Sequence, residues 1–127
     1  MGIWAITVLV CLLMSFTMIG VGLFLEKKGP QKINLLFGYR TPMSMKNKNT
    51  WKFGNLYAGK LLWRSGCVML IVTLAATLPL RGSEASAIRT VGLILIIFHA
   101  VLLIGSIVLT EIALRKNFDN HGNRLQP

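Results

Sequence analysis

IWAITVLVCLLMSFTMIGVGLFL, residues 3–25, runs for 23 residues without a charged side chain. At about 1.5 Å of rise per residue such a helix is roughly 35 Å long, enough to cross the hydrocarbon core of a bilayer. Two further uncharged runs occur later in the chain, Ser65 to Leu80 and Val91 to Thr110, of 16 and 20 residues. The shorter one extends back to Leu61 when Arg64 lays its stem along the apolar surface and puts its guanidinium among the headgroups. The pattern predicts an all-α integral membrane fold with three transmembrane helices, at about 3–25, 61–80 and 90–114. Residues 1–116 form one domain. The loop 26–60 joins the first two helices, and a polar tail, 117–127, is expected to be disordered. A soluble bundle is excluded by the length of the runs and their lack of polar faces. A cleaved signal peptide is disfavoured: no basic stretch precedes the first run, the run is too long, and it leads into no small-residue cleavage site.

The chain of 127 residues is 54% hydrophobic with a formal net charge of +10. In a soluble protein that charge would point to nucleic acid. Here it is sorted by membrane side. Lys27, Lys28, Lys32, Arg40, Lys46, Lys48, Lys52, Lys60 and Arg64 lie between the first two helices or at their edges, and Arg115, Lys116 and Arg124 come after the third. Only Arg81 and Arg89 flank the second loop. The positive-inside rule then puts the first loop and the C-terminus in the cytoplasm and the N-terminus outside. The charge is topological, membrane lipids are the expected partners, and no nucleic acid is expected.

Within the first loop, Glu26-Lys27-Lys28-Gly29-Pro30 stops helix one. Ser44 is a candidate N-cap for the next helical segment, with Asn47 and Asn49 as rivals. Phe53, Leu56, Tyr57 and Leu61 fall at helical spacing, with Lys52, Asn55 and Lys60 on other faces. This reads as an amphipathic interfacial helix leading into helix two. Trp51, Tyr57 and Trp63 suit an aromatic belt at the membrane surface, although Trp51 also belongs to a motif with the Gly38–Ser44 stretch. Ser83 or Ser86 is expected to cap helix three, and Glu111 to pair with Arg115 four residues on.

Catalysis finds little to work with. The four carboxylates, Glu26, Glu84, Glu111 and Asp119, are scattered, and neither His99 and His121 nor Cys11 and Cys67 show metal-ligand spacing. The expectation is no enzyme, no metal and no cofactor, with both cysteines as packing residues. Two side chains stand out. His99 lies near the middle of a span among Leu95, Ile96, Leu102 and Leu103. It is either a proton-sensitive or ligand-contacting residue, or a neutral imidazole bonded to Thr73, Thr77 or a carbonyl of a neighbouring helix. Arg40, between Gly38 and Pro42, sits in a turn where its planar fork suits a phosphate, a carboxylate or backbone carbonyls. It serves either a ligand or the tying-down of the loop.

The pattern Gly38-x-Arg40-Thr41-Pro42-x-Ser44, then Trp51, then Gly59-Lys60 ahead of an apolar helix resembles the SdpI family, bacterial integral membrane proteins named for immunity to a secreted antimicrobial peptide toxin. The chain is similar to a short form holding only the motif-bearing module. The resemblance implies a small helical membrane bundle that protects the producing cell, in some members coupled to signalling through a cytoplasmic regulator. It implies a motif at Gly38, Arg40, Thr41, Pro42, Trp51 and Gly59, with Lys60 beside it. The expected arrangement is a pocket organised by Arg40 and Thr41 and capped by Trp51, with helices two and three facing an antimicrobial peptide. The alternatives are a small transporter or lipid-binding protein, acting as a homo-oligomer through His99 and Arg40, and a sensor whose basic loop recruits a cytoplasmic partner.

Overall fold

The computed structural model describes residues 2–125. Three helices carry the chain: α1 (Gly2–Lys27), α2 (Lys48–Thr77) and α3 (Ala85–Asn117). Each is long and apolar enough to cross a membrane. The all-α, three-span architecture is therefore the one expected, with longer helices. α2 begins at Lys48, so the interfacial helix and the second span are a single rod. A 3-10 turn, Leu78–Leu80, leads it into the short loop before α3.

The helix ends arise from local chemistry. α1 stops where Lys28 N and Gly29 N both donate to the Phe24 carbonyl, at 2.9 and 2.7 Å. α2 is capped by Asn47 and not by Ser44. Asn47 Oδ1 accepts from Thr50 N at 2.9 Å, and Thr50 Oγ1 accepts from Asn47 N at 3.1 Å, so two otherwise free amides are satisfied reciprocally. Ser44 has other work in the loop. α3 starts after Glu84, whose side chain makes no capping bond, so neither Ser83 nor Ser86 is the cap.

The bundle is held by small and polar residues, which reverses the amphipathic reading of α2. Its buried residues include Thr50, Trp51, Gly54, Asn55, Ala58, Gly59 and Gly66, whereas Leu56 is exposed. Lipid tails are as apolar as leucine, so leucine gains nothing by facing a neighbouring helix; close backbone approach and hydrogen bonds do. α1 and α2 approach backbone to backbone at Gly59. A Cβ there would meet Glu26 N and Gly22 O, both at 2.7 Å. Ser15, Thr73, Thr77, His99, Ser106 and Thr110 are buried along the same interior.

At one end, Trp4 Nε1 donates to the Thr77 carbonyl at 2.8 Å and Arg81 lies over the Trp4 ring. At the other, the loop 28–47 meets the segment after α3. That segment, expected to be disordered, folds back over residues 118–125. Phe118 is buried and packs edge-on to Phe53, with centroids 5.5 Å apart. Asn47 Nδ2 donates to Gly122 O at 2.7 Å, and Leu125 N donates to Asn117 O at 2.9 Å. The Asp119 carboxylate accepts the His121 and Asn123 amides at 2.9 Å. The Asn123 amide foremost holds its pKa below the ordinary value. The polar composition that argued for disorder supplies the turn bonds instead; residues 126–127 lie outside the described ones.

Gly59→Val places side-chain atoms where the α1 backbone lies. We expect it to destabilise the purified protein in detergent by about 3 kcal/mol or more, as overpacking does. Gly20→Ala, where a Cβ meets nothing within 4 Å, should leave the melting temperature unchanged. Equal melting of both variants and the wild type would contradict the α1–α2 contact.

Candidate functional site

The motif residues converge on α2. Gly38 has φ +111°, a left-handed conformation costly to any residue with a Cβ. It also has no room: a Cβ would meet Asn55 Oδ1 and Pro30 Cγ, both at 2.8 Å. The turn it makes aims Tyr39 N at Asn55 Oδ1, 2.7 Å away. Asn55 Nδ2 donates to the Trp51 carbonyl at 2.9 Å, and Trp51 Nε1 donates to the Pro30 carbonyl at 2.8 Å. Asn55 and Trp51 are 3% and 2% exposed, so these bonds are made away from water, where an unpaired partner costs most. One chain of hydrogen bonds thus ties the exit of α1, the motif turn and the first turns of α2.

Tyr39 extends the chain to α3. Its hydroxyl lies 2.8 Å from Glu111 Oε1 and 3.0 Å from the Ile107 carbonyl. Burial and the hydrogen bond to Glu111 push its pKa far above the usual phenol, so it stays a donor. Glu111 also lies 4.0 Å from Arg115, the expected pairing. On the far side of the turn, Thr41 and Ser44 bond reciprocally. Thr41 N donates to Ser44 Oγ at 2.9 Å and Ser44 N to Thr41 Oγ1 at 3.2 Å. Ser44 Oγ also reaches the Tyr39 carbonyl at 2.9 Å. Pro42 is exposed and opens a turn closed by Met45 N on the Thr41 carbonyl, where a missing amide proton does no harm.

Arg40 points the other way. It is exposed and donates to the Leu35 carbonyl. It lies with Thr41 at the edge of a cavity of 610 Å³ lined by Phe24, Ala58, Leu62 and Leu103 among others. Arg40 and Thr41 thus border the same cavity. Trp51 does not cap it: the indole is buried under Gly38, between the loop and α2. Gly59 lies in the α1–α2 contact, and Lys60 is half-buried beside it.

His99 is 1% exposed, and its polar partner is on α1. Nδ1 lies 2.7 Å from the Leu95 carbonyl and Nε2 lies 2.9 Å from Ser15 Oγ. A carbonyl only accepts, so Nδ1 donates to Leu95 O, and the Ser15 hydroxyl that faces Nε2 itself donates to the Cys11 carbonyl at 3.0 Å. The expected threonine partners are bonded elsewhere or not at all. Thr77 Oγ1 donates to the Thr73 carbonyl at 2.6 Å, and the Thr73 hydroxyl, buried, has no partner among the described residues.

Sequence reasoning missed Tyr39, Asn55 and Glu111 as members of this network. The signal available was Asn55, an uncharged polar residue one turn after Trp51 in a helix bound for the membrane.

Asn55→Ala removes an acceptor from the buried Tyr39 amide. We expect a loss of about 2 kcal/mol in detergent stability, the cost of one unsatisfied buried amide. Arg40→Ala, at an exposed side chain, should stay within about 0.5 kcal/mol of the wild type. Thermal melts of the two variants check this; the reverse order would mean that Arg40, not Asn55, holds the loop.

No curated protein and no solved structure matches the chain. A family model does match, that of the SdpI/YfhL protein family, over residues 31–110. The match takes in the motif turn, its Asn55–Trp51 anchor, all of α2 and most of α3. Covering more than half of the chain, it places this membrane protein in the SdpI/YfhL protein family.

Proposed function

We propose that the protein protects the membrane of its cell against an antimicrobial peptide toxin. Family membership over the motif turn and the two helices after it is the observation that carries this reading. The polar groups of the fold support a binding role over a catalytic one. Glu111 is bonded to Tyr39, Glu26 accepts from Trp63 Nε1, and Asp119 holds the tail turn. Each of these three carboxylates is engaged in a bond that holds the fold, and the Tyr39 hydroxyl that Glu111 accepts from is itself buried.

In this reading the N-terminus is outside and the motif end is cytoplasmic, in the bacterial inner membrane. The apolar faces of α2 and α3, with Val68, Ile71, Ile97, Val101 and Ile104 exposed, intercept the membrane-embedded part of the peptide. The motif turn fixes the spacing of those two helices, because Tyr39 and Asn55 bind α3 and α2 to one loop. A cytoplasmic regulator, where one is used, would meet the basic loop.

The test is survival of a susceptible bacterium challenged with a panel of membrane-active peptides. It would express the wild type, Asn55→Ala or Arg40→Ala at matched membrane levels. We expect the wild type to protect and Asn55→Ala to lose most of that protection. No protection by the wild type against any peptide would sink the reading.

A further inference from the structure

We propose that the cleft between α1 and α3 at the motif end is a binding site for one anionic phospholipid. An acyl chain lies in the cleft and the headgroup phosphate sits on Arg40 and Thr41. This inference is independent of the protective role proposed above.

The shape comes first. The cavity of 610 Å³ is within the range of about 300–1,000 Å³ typical of small-ligand sites. Gly20, Val21 and Phe24 of α1 face Leu103 and Ile107 of α3 across it, with Ala58 and Leu62 of α2 also in the lining. Leu103 also lines a second cavity, of 480 Å³, bounded by Met14, Met18, Ile96 and His99. Both cavities are lined mainly by apolar side chains of α1 and α3 and share Leu103, a setting that suits a hydrocarbon chain.

Charge settles which end holds the head. The loop side contributes Arg40 and Thr41 to the lining. The acids near this end are engaged elsewhere: Glu26 with Trp63, Glu111 with Tyr39 and Arg115, Asp119 with its own turn. Among the described residues the one ion pair is Glu111–Arg115, so Arg40 has no carboxylate partner. Its hydrogen bond is to the Leu35 carbonyl, which leaves further guanidinium donors for an anion. A planar guanidinium with a hydroxyl beside it matches a phosphodiester, and the same guanidinium repels a cationic peptide. Lys27, Lys28 and Lys32, in the same loop region, add to the field that draws anionic lipid.

Gly20 allows a clean test. It lines the cavity, and a Cβ built there meets nothing within 4 Å, so Gly20→Phe starts its side chain in open space and sets a bulky ring at the cavity wall. Gly105 is equally open and does not line the cavity, which makes Gly105→Phe the control. The full-length protein in detergent is titrated with phosphatidylglycerol or phosphatidylcholine and read by native mass spectrometry. We expect one phosphatidylglycerol bound in preference to phosphatidylcholine, and unchanged binding by Gly105→Phe. Affinity should fall about tenfold in Arg40→Gln, the loss of a charge-assisted contact, and by at least as much in Gly20→Phe. Equal binding of the two lipids, or binding untouched by both Arg40→Gln and Gly20→Phe, would overturn the site. So would a protein dimer that Gly20→Phe abolishes while no lipid is retained, because the cleft would then belong to a second copy of the chain.

Discussion

The side-chain amide of Asn55 has one oxygen and one nitrogen to offer, one used on the motif turn and the other on its own helix one turn back. The oxygen takes the Tyr39 amide and the nitrogen takes the Trp51 carbonyl. Tyr39 can approach only because Gly38 adopts a positive φ and has no side chain to strike Asn55 or Pro30. Trp51 is fixed by the Pro30 carbonyl, and Tyr39 by Glu111. Take away the Asn55 amide and the Tyr39 amide loses its acceptor on α2, leaving the loop held by Thr50 on the Ser44 carbonyl and Trp51 on the Pro30 carbonyl. The link from loop to α3 through the Tyr39 hydroxyl then loses that support. In water such a network would be one contribution among many. In a three-helix membrane bundle, where apolar burial does not favour helix association, polar links and close packing carry a larger share.

That same physics explains what could be read in the sequence. Three long uncharged runs dictate three spans, because a backbone in hydrocarbon must bond within itself. The stop of α1 at Gly29-Pro30 and the pairing of Glu111 with Arg115 were legible for local reasons. The inward face of α2 was not. The usual inference turns leucine inward and asparagine outward, and here Leu56 faces out while Asn55 is buried. Asn47 outcompeted Ser44 as the cap because Ser44 is held by Thr41 and Tyr39, contacts that exist only once the turn has formed. The tail looked disordered from its polarity, yet Phe118 anchors it and Asn47 fastens it. Neither contact is visible without the fold.

The motif residues take different places in the structure. Arg40 and Thr41 border a cavity, but Trp51, expected to cover it, is a post beneath the turn. The motif therefore divides. Gly38, Trp51 and Ser44 build the turn, and Arg40 is the member left facing outward with a free charge. His99 belongs to another layer, deep in the bundle, where it clasps α1 through Ser15. Its distance in sequence from Ser15, 84 residues, hid that partner from any local reading.

At the motif turn, the Tyr39 amide is clamped to α2 and shielded from solvent. Hydrogen exchange of the Tyr39 amide, monitored by NMR in bilayer nanodiscs, tests it most directly. The account predicts strong protection of Tyr39, far above the exposed Ile33 amide in the same loop, and loss of that protection in Asn55→Ala. A Tyr39 amide that exchanges as fast as Ile33 in the wild type would contradict it.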